Sequence, residues 1–107
     1  MVMKLLGALI PAPHTVKHRA QLDDAGDGAR WASAVDVAGC RIERSSRQYQ
    51  NADGRVVTLT AMVWMPAMPE VKVGDRLVLD GNERRVEKID ELVDLEGNVM
   101  HREVWTA

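Results

Sequence analysis

Residues 71–107 read VKVGDRLVLDGNERRVEKIDELVDLEGNVMHREVWTA. Three short segments of alternating apolar and polar residues are divided there by two glycine turns, Asp80-Gly81-Asn82 and Glu96-Gly97-Asn98. This pattern predicts an antiparallel meander. Residues 76–80 form its first strand with Leu77 and Leu79 inward, residues 84–90 pair back across the turn, and residues 99–105 close the set. Val86 and Ile89 lie three apart, not two, which predicts a slip of register. A meander this tight leaves no room for a catalytic loop, and it points to an assembly or binding module.

Upstream, residues 55–65 are the clearest strand: Val57, Leu59, Ala61, Val63 and Met65 share one face. The other face, with Val56, Thr58, Thr60, Met62 and Trp64, is only half polar, so it too is expected to be covered. Residues 66–69, Pro-Ala-Met-Pro, form a stiff connector. Residues 31–44 read as a long strand whose parity changes at Ala38-Gly39, so that Cys40 and Ile42 follow Val35 and Val37 on the opposite phase. A glycine at a phase change predicts a β-bulge. Residues 14–19 read as a further strand with Val16 inward, and residues 21–28 as a loop rich in Asp and Gly. Residues 1–11 are expected to be an arm or short helix ended by Pro11 and Pro13, and residues 12–107 the folded domain. About six strands at this spacing predict an all-β fold: a small antiparallel β-barrel with a long loop between its second and third strands.

The chain has 107 residues, a length suited to one domain, with 46% apolar and 28% charged residues. Its net charge of −2 is too balanced for wholesale nucleic-acid binding, although Arg41, Arg44 and Arg47 make one stretch locally basic. The single cysteine, Cys40, excludes an internal disulfide and a multi-cysteine zinc site. The apolar run at residues 5–10 is shorter than a signal-peptide core of roughly 7–15 residues. It is far shorter than the ~20 residues of a membrane span. Neither a leader nor a membrane partner is expected.

No constellation for catalysis is visible. His14 and His18 would lie about 13 Å apart on one strand face, too far to share an ion, so neither a metal nor another cofactor is expected. The carboxylates from Glu83 to Glu103 alternate with Arg and Lys, as on a solvated strand face, and Cys40 reads as an inert buried thiol. Trp64 and Trp105 at strand ends, with Met65 and Met68, are either core residues or interface anchors. The physical candidate for function is the polar stretch Ser45, Ser46, Arg47, Gln48, Tyr49, Gln50, Asn51, Ala52, Asp53 and Gly54. A long loop held between two strands is a common contact element.

Taken together, these segments resemble the head-completion or "stopper" proteins that join head to tail in tailed phages. The likeness spans most of the chain. It rests on Ala12-Pro13-His14-Thr15-Val16, on a long loop after the second strand, and on the ending Val73-Gly74-Asp75-Arg76-Leu77-Val78-Leu79-Asp80-Gly81, Arg85-Val86-Glu87-Lys88-Ile89-Asp90, Asp94-Leu95-Glu96-Gly97 and His101-Arg102-Glu103-Val104. The resemblance implies a non-enzymatic virion protein, assembled in the bacterial host cytoplasm and also used by gene transfer agents. It implies a homo-oligomeric ring below the portal and its adaptor, with a tail-completion or tail-tube protein on the other side. A monomer in free solution is compatible with that, since the ring it docks on can impose the symmetry. The loop at residues 45–54 would plug the channel, with Arg44, Arg47 and Arg55 facing double-stranded DNA without sequence preference. The rival reading is a barrel of the OB or SH3 kind that binds nucleic acid or a ligand, for which Tyr49 is the one obvious loop aromatic.

Overall fold

A computed structural model describes residues 13–22 and 30–107. The expected arm at residues 1–11 and most of the expected loop at residues 21–28 lie outside them. Among the described residues there are eight strands: β1 (His14–Arg19), β2 (Gln21–Leu22), β3 (Arg30–Trp31), β4 (Val35–Gln50), β5 (Val56–Pro66), β6 (Arg76–Leu79), β7 (Asn82–Val93) and β8 (Val99–Thr106). Six close into an antiparallel barrel in the order β1-β4-β5-β8-β7-β6, and β2 pairs with β3 beside it. Closure is made by β1 and β6, through Lys17↔Val78, His18↔Leu77 and Arg19↔Arg76. Among the described residues each of these six strands is paired on both sides along part of its length.

Both expected slips are present. Between His14↔Cys40 and Val16↔Val37, β4 advances three residues while β1 advances two, and Gly39 holds φ +73 at that point. An added Cβ at Gly39 would meet nothing within 4 Å, so the backbone conformation, not space, calls for glycine there. The slip lets Val37 and Cys40 both point inward, where they are 4% and 0% exposed. On β7, Val86↔Thr106 is followed by Lys88↔Trp105, placing the second bulge at Val86-Glu87. The β6–β7 turn holds Asp80 at φ 51 and Gly81 at φ 80. Two central residues with positive φ define the type I′ turn that matches strand twist.

The interior is filled by Val16, Val63, Met65, Leu77, Val86 and Val104 among others, with Ile42 and Ile89 packed against them. One buried polar group ties the corners together. Asp75 is 3% exposed, and its Oδ2 lies 2.8 Å from His18 Nε2 and accepts from the Lys72 amide at 2.9 Å. Its Oδ1 accepts from the Gln21 amide at 2.9 Å, and its carbonyl accepts from the Val86 amide. Gly74 beside it sits at φ +97, and a Cβ there would lie 2.5 Å from Gln21 Oε1. The Gly-Asp dipeptide is therefore a structural corner joining β1, β7 and the β5–β6 connection.

The long loop after residue 44 is corrected. Residues 45–50 belong to β4 and pair with β5 through Arg47↔Leu59, Gln48↔Thr58, Tyr49↔Val57 and Gln50↔Val56. The connection shrinks to residues 51–55, where the Asn51 side chain accepts from the Asp53 and Arg55 amides. Polarity here marks a strand with one solvated face, not a loop: Gln48, Gln50, Val56 and Thr58 are exposed, while Tyr49 and Val57 are half-buried and Leu59 is fully buried.

Candidate functional site

The β4–β5 ribbon extends past the barrel wall. The last β5–β8 pair is Ala61↔Thr106, so residues 56–60 pair with β4 alone, a length of about 16 Å. A bulge at residues 45–46, between Arg44↔Ala61 and Arg47↔Leu59, re-aims the ribbon. It does not stand free: Asn51 Nδ2 donates to Glu87 Oε2 of β7 at 3.5 Å, and Leu59 is buried apart from the main core.

The three arginines expected near DNA are in different situations. Arg44 has a side chain 88% exposed and stands 3.9 Å from Asp80 Oδ2. Arg55 is exposed in the turn. Arg47, although exposed, has its guanidinium 5.3 Å from the Trp105 ring centroid, a cation–π contact. Lys88 lies 5.6 Å from the same ring, and Trp105 Nε1 donates to Asp90 Oδ2 at 3.2 Å. The Lys88 hydrogen bond, with help from Trp105 and the Arg47 charge, holds the Asp90 carboxyl below its ordinary range.

The four candidate interface residues also separate. Met65 is 0% exposed in the core, and Trp64 is 6% exposed, stacked on His101 at 3.8 Å between centroids and 10° between planes. The interface role for these two is corrected: both are spent on internal packing. Burial lowers the His101 pKa, because the imidazolium would lose hydration there. Trp105 is half-buried beneath its cations, and Met68 is 76% exposed. Met68 lies in the β5–β6 connection, whose Ala67 carbonyl accepts from Arg102 Nη1. Leu95 and Val93, 107% and 57% exposed, lie at the β7–β8 turn toward the same end of the barrel. Asp94 closes that turn by accepting from the Glu96 and Asn98 amides.

Cys40 is buried, and desolvation pushes its thiol up to about 11 against the weaker opposing effect of a backbone hydrogen bond at Val16. Among the described residues no group of three His, Cys, Asp or Glu is placed to hold a metal ion, and no helix is long and apolar enough to cross a membrane.

One feature escaped the sequence. At the end of the barrel nearer the ribbon, a cavity of about 230 Å³ is lined by His14, Ile42, Arg44, Thr60, Ala61, Leu79, Asp80 and Arg84. Arg84 comes from β7, Arg44 from the β4 ribbon and His14 from β1. Residues so far apart in sequence carry no local signal of being neighbours.

No protein-family model matches the chain, and no curated protein matches it.

Proposed function

We propose that this chain is a non-enzymatic virion connector, a ring-forming barrel at the head–tail interface. In this reading it docks below the portal and adaptor, closes the DNA channel and offers a surface to a tail-completion or tail-tube protein. The observation that carries the proposal is the β4–β5 ribbon. It is an extension of a closed barrel that presents a polar face, with Arg55 exposed at its tip and Arg44, beside Asp80, exposed at its base, where both could meet phosphates. Because residues 45–50 are ordered by a ladder, the ribbon would line or narrow the channel as a stiff element, and not as a slack loop. The exposed apolar groups Met68, Val93 and Leu95, toward the other end, suit burial against a neighbouring ring.

Deletion of residues 46–53 tests the ribbon's role. The pairs from Ala61↔Thr106 onward and the whole β6–β8 meander are untouched by it, so the barrel should fold. Filled particles carrying the deletion should leak DNA. Normal DNA retention would remove the channel-closing role.

A second reading, a barrel that binds a small ligand, is favoured by the cavity at the barrel end.

A further inference from the structure

We propose that the cavity at the barrel end is a binding site for a carboxylate borne on a short aliphatic stem, such as a glutamate side chain or a small free aliphatic acid. The inference rests on the cavity alone and stands whether or not the chain is a connector.

The cavity has two chemically distinct parts. Ile42, Ala61 and Leu79 supply aliphatic wall, and Arg44 and Arg84 supply guanidinium groups. A guanidinium offers planar paired donors that match a carboxylate. Arg84 is held in place by one hydrogen bond, from Nη1 to Thr60 Oγ1 at 2.7 Å. Among the described residues Thr60 is its only hydrogen-bond partner, and its Nε is buried without one. Among the described residues Arg44 has only Asp80, at 3.9 Å and beyond hydrogen-bond range. Both arginines therefore keep unused donors. His14 adds a further one. Its Nδ1 accepts from the Ile42 amide at 3.0 Å, and a backbone amide can only donate, so in the neutral ring the proton sits on Nε2.

The charge count selects the ligand. Two arginines less Asp80 leave one net positive charge around the cavity, which suits a monoanion better than a phosphate dianion. The aliphatic wall selects further, because it gains from a methylene stem and gives nothing to an ion hydrated on all sides. The volume of about 230 Å³ is below the usual 300–1,000 Å³ of a drug-sized pocket, so the occupant is a side chain or a molecule of a few carbons.

The test is a titration of the isotope-labelled full chain followed by amide NMR shifts. The probes are butyrate and N-acetyl-glutamate α-amide, with butyramide and inorganic phosphate as comparisons. Butyrate and the glutamate derivative should give saturable shifts at Ile42, Ala61 and Leu79, with dissociation constants in the millimolar range expected of so few atoms. Tighter binding of the glutamate derivative would identify a protein side chain as the occupant, and tighter binding of butyrate a free acid. Arg44→Gln removes an exposed side chain and should leave the spectrum folded while weakening binding about tenfold. Arg44→Lys should restore part of it. The proposal is overturned if the amides do not move, if butyramide moves them equally, or if phosphate binds more tightly than either carboxylate. It is also overturned if Arg44→Gln leaves the affinity unchanged.

Discussion

Replacing Asp75 by alanine should cost a large part of the barrel's stability. The carboxylate serves three donors at once: His18 Nε2 at 2.8 Å, the Lys72 amide at 2.9 Å and the Gln21 amide at 2.9 Å. His18 is 5% exposed, so its ring would be stranded away from water. The two amides are only part-buried, and water can meet part of their need. Allowing about 1–3 kcal/mol for the stranded imidazole and about 1 kcal/mol for each amide gives a loss of about 3–5 kcal/mol. Small domains have only about 5–15 kcal/mol in total, so the melting temperature should fall by on the order of 15–30 °C. Asp75→Asn should cost less but not nothing, because whichever way the amide turns, its NH2 faces either the Gln21 or the Lys72 N–H. The internal control is Lys17→Ala. It breaks a pair whose side chains are 56% and 65% exposed and should cost under about 0.5 kcal/mol. Guanidinium denaturation followed by tryptophan fluorescence measures all three. An Asp75→Ala loss below about 1 kcal/mol, comparable to the control, would refute the view of Gly74-Asp75 as the corner that organises the barrel.

Three further outcomes follow from the packing. Cys40 has a thiol raised to about 11 from 9.0. The folded state thus holds its proton more tightly than the unfolded state, and stability falls as pH rises from 9 towards 11. The loss should reach about 2–3 kcal/mol, and Cys40→Ala should flatten that part of the stability–pH curve; an unchanged slope would argue against a desolvated thiol. The His101 pKa is lowered by burial, so its contribution is present above the unfolded value near 6.5 and is lost as pH falls through the folded value. Fluorescence of Trp64 should report that protonation with a midpoint below 6.5 and should lose the transition in His101→Phe; a midpoint at or above the free value would count against the buried stack. Gly81→Ala should destabilise by about 1–2 kcal/mol in thermal denaturation, wholly through φ +80, because nothing lies within 4 Å of an added Cβ; a neutral effect would show that the turn can change type.

The barrel was readable because its signals are local. Alternation in residues 55–65, the two glycine turns and the phase changes at Ala38-Gly39 and between Val86 and Ile89 are each visible within a few residues, and each corresponds to a strand, a turn or a bulge in the fold. Residues 45–50 misled because one-faced solvation makes a strand look polar, and their pairing partners begin only at Val56. Nothing near His18 in the sequence signals its buried ion-pair partner, because Asp75 stands 57 positions away. Trp64 and Met65 were ambiguous for a related reason: a large apolar residue at a strand end reads the same whether its own fold or a neighbour covers it. The cavity was invisible because it is assembled from β1, β4, β5, β6, β7 and the β6–β7 turn.

The proposed connector role is tested most directly by mass measurement of the purified chain, alone and mixed with a portal–adaptor complex. Several copies should join the complex as a closed ring, even if the chain alone is monomeric. A chain that stays strictly monomeric beside the portal–adaptor complex, yet binds short oligonucleotides with steep salt dependence, would contradict it.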